Sequence, residues 1–550
     1  MIKSSSRCWV SHNSCLNLAD VESKDSTLDR CNTTISPFFS RGLIQIFMQP
    51  DSTADSRSIR LEKLQQLRDQ GASPYPYSFQ STHTIQELRD LADALLTAAT
   101  PVSLAGRLMA VRGKGKAIFA NIQAAHERLQ VYVRKDEVGE ESFEVFNLCD
   151  LGDFLGLQGV MMRTQTGELT LRANRLEVLS KAVRAMPVPK VKEVAGERVV
   201  YDEVKDKEFR YRQRYVDLAL NVEVAQIFRQ RSLIFQTVRT YLLEQQFLEV
   251  ETPTLQSVYG GANATPFVTR HKALGIDFYL RISNELFLKR LVIGGFDRVF
   301  EFIKNFRNEG IDRTHNPEFS ALEFYQAYAD YHDMMRHCES IFECCALAVH
   351  GSTQFEFEGT TIDVKAPWPR LTMLEAIEQF AEISFKTLSD EEVQALLAAK
   401  GWHLDGSFSR GRAMQLIFEE SCESQLVQPT FITDYPKESS PLCKQHRQNS
   451  ELIERFEAYV VGWEVANAYS ELNDPIRQRQ LMEEQVERGR GGEAETHPLD
   501  EDFLRAMEYG MPPMGGIGIG MDRMVMLLTG QNNIRDVILF PTLRPEQFGE

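Results

Sequence analysis

Three observations predict an α+β chain of at least two domains. Its 550 residues exceed what a single hydrophobic core usually holds. Short strand-like runs with glycine turns crowd residues 101–180. From about residue 205 onward, amphipathic helical patterns alternate with longer strand-like runs.

The totals narrow the class. With 43% apolar and 25% charged residues, the composition is ordinary for a globular protein. No run approaches the ~18 apolar residues of a membrane-spanning helix. A net charge of −17 argues against broad affinity for nucleic acid, while leaving room for a local basic face. The nine cysteines are scattered and odd in number, with no paired CxxC spacing. A reducing compartment, the cytoplasm, is expected, and Cys344 and Cys345 read as core thiols.

Residues 1–57 read as an extension outside the fold. Up to residue 47 they are rich in Ser, Asn and Thr, and they carry too many acids for a transit peptide. Met48 offers an alternative start. The first domain is expected over 58–184. Ile59, Leu61, Leu64 and Leu67 space a helix ending at Gly71. A second helix runs from Ile85 to Leu96, with Thr84 as its cap. Strand patterns follow at 102–108, 117–122, 129–133, 154–160 and 169–172, with a tail at 177–179. Five short strands with glycine turns suit a small Greek-key barrel of the OB type. Arg107, Arg112, Lys114 and Lys116 give it a basic edge, and Phe119 a stacking surface. Single-stranded nucleic acid needs that combination; an ordinary solvated rim is the plainer reading.

Residues 185–204, with Pro187 and Pro189, read as a linker. The second domain, 205–550, opens with a basic aromatic run, 209–215, and a long helix over 223–245. Gly260 and Gly261 permit close backbone approach to a ligand. A strand at 278–282 and a helix carrying Glu285 come next. Two strand-like runs, 298–303 and 319–325, then flank a polar loop, which predicts a long hairpin. In that loop Arg307 and Arg313 suit a phosphate, His315 adds a donor, and Phe319 offers a flat face. A solvated hairpin is the bland alternative. Residues 332–430 read as a helical insertion supporting the site's rim. In an unbroken strand, Glu464 and Glu471 would face opposite ways, so a bulge is needed if both serve one site. The block 515–528 is a glycine-rich strand turning into an apolar helix. It is neither a P-loop nor a GxGxxG fingerprint.

Taken in order, three blocks resemble the signature motifs of class II aminoacyl-tRNA synthetases. They are the helix with Phe247–Pro253, then Phe306–Tyr325, then Gly515–Leu528. Arg210–Leu218, Tyr279–Ile282, His315–Phe319, Ala327–Tyr331, Gln428–Thr433, Ser470–Pro475 and Phe540-Pro541 bring the resemblance closest to the lysine-specific, bacterial and eukaryotic branch. It extends from Ser58 to Pro545. It implies a catalytic domain built on a six-stranded antiparallel sheet flanked by helices, preceded by an anticodon-binding OB barrel. It also implies a homodimer, with Pro253 at the interface, and ATP, Mg²⁺, lysine and tRNA(Lys) as ligands. Lysyl-adenylate would form first, followed by transfer to the tRNA 3′ end.

The site residues implied by the resemblance follow its motifs. Arg307 and Arg523 are the catalytic cations, since an anionic carboxylate must meet an anionic phosphate. ATP would lie against Arg307, Glu309, His315, Asn316, Phe319, Glu464 and Arg523. Lysine would meet Gly261, Glu285, Arg307, Glu323, Tyr325, Asn467 and Asp474, a set acidic enough for a buried ammonium. Glu464 and Glu471 match the Mg²⁺ carboxylates. Arg107, Phe119 and Gln130 match anticodon contacts. Three departures stand out: Gln246 and the turn 124–128 replace glycine-containing turns, and Thr265 replaces a basic residue. The alternatives are a sister synthetase for aspartate or asparagine, a protein-lysylating paralogue, and a non-catalytic nucleic-acid-binding regulator. The acidic pocket opposes the first, the complete barrel the second, and the retained Arg307, Arg523 and glutamate pair the third.

Overall fold

A computed structural model describes residues 52–113, 115–194, 197–201, 204–404, 406, 408–490 and 498–546. The expected N-terminal extension lies outside the described residues up to position 51. The described residues from position 56 onward form one compact unit.

The first helix is Ser52–Asp69. The expected second helix is two, Ile85–Asp90 and Ala92–Ala98, broken at Leu91. Thr84 caps it as expected and forms a reciprocal capping box with Glu87. The barrel strands are β1 (Pro101–Arg112), β2 (Ala117–Ala124), β3 (Glu127–Arg134), β4 (Phe154–Arg163) and β5 (Leu169–Ser180). They close in the order β1-β2-β3-β5-β4. Alternation along each strand sends Leu104, Ile118, Ile122, Val131, Val133, Leu157 and Leu171 into the barrel core. Two short helices between β3 and β4, Lys135–Val138 and Glu140–Asn147, escape the strand pattern. Phe143 and Phe146 of the second join that core. The linker expected over 185–204 carries an antiparallel strand pair, Lys190–Val194 with Glu197–Tyr201.

The second domain is built on β6 (Leu248–Glu249), β7 (Arg298–Phe306), β8 (Glu318–Ala327), β9 (Arg370–Thr372), β10 (Thr430–Pro436), β11 (Leu452–Val460), β12 (Trp463–Ser470) and β13 (Met514–Ile519). Their order is β9-β10-β11-β12-β13-β8-β7-β6. The six central strands are antiparallel, as expected. A short parallel strand is added at each edge. The helices Val222–Glu244, Tyr331–His350 and Met521–Leu528 share one core with this sheet. Each large apolar side chain buried there contributes about 1.5–3 kcal/mol.

This corrects the insertion expected over 332–430. Met334, Met335, Cys338, Ile341, Phe342 and Cys345 of Tyr331–His350 are wholly buried in the main core. Arg370–Thr372 is an edge strand of the main sheet. The helices Met373–Ala381, Asp390–Lys400 and Arg410–Ser421 gather a separate core beside it. Cys345 is a core thiol as expected; Cys344 is only half-buried.

The helix Val222–Glu244 ends on Gln246, whose φ is +64°, with Phe247 N donating back to Leu242 O at 3.0 Å. A left-handed residue there favours glycine, which the departure at Gln246 denies it. Gln246→Gly is expected to stabilise the fold by about 0.5–1 kcal/mol. A rise in the apparent thermal midpoint checks this; a fall would contradict it.

Candidate active site

The hairpin β7–β8 pairs without a slip from Arg298↔Gln326 to Phe306↔Glu318. Its strand β8 lies beside β13, with Glu323 opposite Gly518 and Tyr325 opposite Gly516. Asp522, just past β13, is 2% exposed. One of its oxygens accepts from Arg231 Nη1 at 2.6 Å and the other from Ser320 N at 2.7 Å. The long helix, the hairpin and the glycine-rich block therefore meet on one carboxylate. Above them opens a cavity of about 450 Å³.

One end of the cavity suits a nucleotide. The Arg307 guanidinium lies 5.1 Å from the Phe319 ring centroid, and its buried Nε has no hydrogen-bond partner. Asn308 N donates to Thr265 O at 2.8 Å, and Thr265 N to Glu309 Oε1 at 3.3 Å. Arg523 Nη1 donates to Glu464 O at 2.5 Å, and Arg523 Nη2 sits 3.1 Å from His315 Nε2. Arginine can only donate, so His315 Nε2 accepts and Nδ1 carries the proton toward Asp312 Oδ2, 2.8 Å away. Partial burial would raise the Asp312 pKa, but donors from Thr314 and His315 outweigh it and hold it down at about 2. Asn316 is buried, with Oδ1 unpartnered.

The other end is acidic and buried. Glu285, Glu323 and Glu471 are all buried. Ser283 Oγ donates to Glu323 Oε1 at 3.2 Å, and Tyr325 Oη to Oε2 at 3.4 Å. Burial, reinforced by the Glu285 charge, pushes Glu323 up to about 8. Burial likewise pushes Glu471 up to about 8, against the opposing charge of Lys289. A second buried ion pair braces this end: Arg281 Nη1 donates to Glu301 Oε1 at 2.8 Å, while Asn284 Nδ2 and Thr252 Oγ1 each reach Oε2 at 2.7 Å. Two glycines make room. Gly261 has φ +84°, and a Cβ on it would stand 2.8 Å from Ser283 Oγ. A Cβ on Gly516 would collide with Glu471 Oε1 and the Tyr325 ring.

Of the residues expected to bind the small ligands, Gly261, Glu285, Arg307, Glu309, His315, Asn316, Phe319, Glu323, Tyr325, Glu464, Asn467, Glu471 and Arg523 line this one cavity. Asp474 stands outside the lining. Its Oδ1 accepts from Ile476 N and Arg477 N, at the head of the helix Pro475–Arg490. The bulge needed near Glu464 is present: Ala458 pairs with Ala466 and Tyr459 with Glu464, leaving Val465 over. Glu471 Oε1 is buried with no hydrogen-bond partner, as befits an oxygen kept for a cation. Among the described residues no group of three or more His, Cys, Asp or Glu could hold a metal. A hard cation between Glu464 and Glu471 would need further oxygens from phosphate and water.

Sequence reading missed Ser283, Lys289, Arg455 and Glu457. Arg455 and Glu457 share one face of β11 and form an ion pair, and Asn467 Nδ2 donates to Glu457 Oε1 at 3.1 Å. Their i,i+2 spacing in a strand was the available signal. On the barrel, Phe119 packs on Tyr132, 4.7 Å between centroids, and Gln130 Nε2 donates to Thr170 Oγ1 at 2.9 Å. Arg107 lies apart from them, its guanidinium 4.3 Å from the Phe154 ring centroid and donating to Gly152 O. Pro253 is exposed beside β6.

Comparison with known proteins identifies the family. The profile described as tRNA synthetases class II (D, K and N) matches residues 206–544, and that of an OB-fold nucleic acid binding domain matches 102–179. The chain belongs to the class II tRNA synthetases. Among its relatives is a lysine–tRNA ligase of Pelotomaculum thermopropionicum, 47% identical over 92% of this chain and 98% of that protein. Lysine–tRNA ligases of Porphyromonas gingivalis (48%, covering 90% and 86%) and Moorella thermoacetica (46%, covering 91% and 100%) are similar. This class II synthetase is an aminoacyl-tRNA ligase with an OB-fold domain and an α+β catalytic domain.

The crowding at Gly516 yields a test. Gly516→Ala displaces Glu471 or Tyr325 and is expected to cut amino-acid-dependent ATP–pyrophosphate exchange at least ~10-fold. The circular dichroism spectrum should not change. Full activity in the variant would show that the crowding is harmless.

Proposed function

We propose that this synthetase is a lysine–tRNA ligase: it activates L-lysine with ATP and transfers the lysyl group to tRNA(Lys). The observation that carries the reading is the cluster of buried acids Glu285, Glu323 and Glu471 with Tyr325, lining one cavity with Arg307. A buried ammonium needs such acids, whereas an aspartate side chain would need cations in their place. The relatives' activity points the same way.

In this reading ATP lies with its adenine on Phe319 and its phosphates toward His315 and Arg523. Glu309 and Asn316 contribute from the hairpin loop. Lysine places its α-amino group by Gly261 and Glu285 and its ε-ammonium by Glu323 and Tyr325. Asn467 lines the same pocket. Arg307 stands between the two ends, where its charge draws the lysine carboxylate to the α-phosphate. Positioning and charge neutralisation therefore supply most of the acceleration. Glu464 and Glu471 would hold Mg²⁺, which neutralises phosphate charge when bound. Asp474, as a helix cap, supports this pocket from outside.

The finer partners are inferred alongside. Phe119, with Tyr132 beside it, is the stacking surface for an anticodon base, and Gln130 and Arg107 are further contacts. A homodimer would bury Pro253 with the exposed Leu248, Leu255, Val258, Val268 and Ile276. Among the described residues no helix is long and apolar enough to cross a membrane. The described cysteines are free thiols, as a cytoplasmic setting favours.

ATP–pyrophosphate exchange across the twenty amino acids tests the activity: lysine should support it. Exchange with aspartate or asparagine instead would overturn the reading. Glu323→Gln should raise the lysine KM at least ~10-fold with little effect on the ATP KM. Glu323 titrates near pH 8 in the free enzyme and attracts an ammonium only when ionised. Lysine affinity should thus strengthen as pH rises from 6 to 8.5, and less so in Glu323→Gln; a flat wild-type profile would argue against the assignment. Phe119→Ala should slow tRNA charging by about 10-fold while sparing exchange, since stacking on one base is worth ~1–3 kcal/mol. Matched losses in both assays would remove the barrel from recognition.

A further inference from the structure

Lys289 has no part in the reaction as derived so far. It is wholly buried, and it occupies the position four residues after Glu285 on the helix Glu285–Ile293. That spacing puts both side chains on one helix face. Its Nζ lies 2.5 Å from Glu285 Oε1 and 2.6 Å from Glu471 Oε2. Glu471 arrives from just beyond β12, where its backbone is fixed by a bond from Glu471 N to Met514 O and by a bridge to Cys443. One ammonium therefore ties the wall of the pocket that carries Glu285 to the wall that carries Glu471.

We propose that Lys289 is a positioning and specificity-setting residue for the amino-acid pocket, acting through Glu285 and Glu471 as a built-in ammonium. The inference rests on the lysine reading above and deepens it. Of the three buried carboxylates Glu285, Glu323 and Glu471, Lys289 pairs directly with Glu285 and Glu471. With all three ionised, one ammonium among them leaves two negative charges. Lysine brings two ammonium groups, while its carboxylate is met separately by Arg307. An amino acid with a neutral side chain brings one ammonium and leaves a buried carboxylate unmatched, which is costly. Lys289 thereby sets the pocket's demand at two positive charges. Without it the demand is three, and Glu285 and Glu471 lose the partner that holds them against their mutual repulsion. Glu285 then leaves its place beside Gly261, and the α-amino group loses its acceptor.

A packing role alone would make a different prediction, and chemical rescue separates the two. Lys289→Ala should raise the lysine KM in pyrophosphate exchange at least ~10-fold while the ATP KM stays within about twofold. Added propylammonium should recover at least about a third of the lost kcat/KM for lysine, whereas propanol, of like shape but uncharged, should recover none. An unchanged lysine KM, equal rises in both KM values, or equal recovery with propanol and propylammonium would overturn the inference. If Lys289→Ala does not fold, Lys289→Met keeps the stem's volume and should show the same split. Lys289→Met with normal lysine KM would then overturn the inference. The wild-type enzyme, assayed alongside, keeps the two readings apart: no lysine-dependent exchange there sinks the lysine reading. Normal wild-type exchange with an indifferent Lys289 variant sinks only the role of Lys289.

Discussion

The carboxylate of Asp522 joins elements that the chain keeps far apart. Its partners, Arg231 and Ser320, lie 291 and 202 residues away in sequence. Arg231 closes the triangle by donating from Nη2 to Ser320 Oγ at 2.9 Å. Each member comes from a different block: the long helix, the second strand of the hairpin, and the turn out of the glycine-rich strand. Because the three are buried or nearly so, losing one partner would strand a charge in a dry place, at a cost of about 3–5 kcal/mol. The strand register and this contact together hold the hairpin beside β13, and the cavity opens above them.

The cavity is polarised along its length. Guanidinium groups and an aromatic ring occupy one end, and carboxylates the other. Neither set is fully neutralised internally: Lys289 meets only Glu285 and Glu471 among the buried acids, which is costly for a folded protein and informative about what it binds. Arg307 Nε without a partner and Glu471 Oε1 without a partner are two ends of the same statement. Glycine at 516 lets Glu471 and Tyr325 come together against bare backbone, so the acidic end is crowded. The buried Arg281–Glu301 pair, saturated with hydrogen bonds, has the opposite character: it asks for no ligand and ties Thr252 and the segment from Arg281 to Asn284 to β7.

Much of this was legible from residue order. Alternation along the barrel strands and the helical spacing of Val222–Glu244 gave the two domains, because each element buries a single face. The hairpin was legible because Asn, Gly, Asp and His interrupt two apolar runs. The insertion was misread: Tyr331–His350 has a solvated side and looks peripheral, yet its other face completes the main core. A three-residue strand such as Arg370–Thr372 leaves too short a pattern to see. Lys289 was hidden for a related reason. An i,i+4 Glu–Lys pair on a helix usually means a solvent-facing bridge, and only the fold shows it buried with Glu471. Asp474, an acid in the same motif as Glu471, caps a helix here.

The positions where this chain departs from its family's pattern share a physical explanation. Thr265 meets the hairpin loop through its own backbone, accepting from Asn308 N and donating to Glu309 Oε1. A side-chain change there leaves both bonds in place. Gln246 and the pair Ala125 and His126 occupy left-handed conformations where glycine would be relaxed. Each such residue costs of order 1–2 kcal/mol of strain. They are tolerated because surrounding contacts fix the turns. Phe247, directly after Gln246, is buried against Phe324 at 5.3 Å between centroids. The barrel turn is gripped by the catalytic domain, where Arg229 Nη2 donates to Ala125 O at 2.8 Å and Gln123 Nε2 to Ala219 O at 2.7 Å. The strain therefore sits at the seams between elements, away from the cavity. A turn held from outside can vary its residues, whereas a glycine such as Gly516, hemmed in by two cavity-lining side chains, cannot.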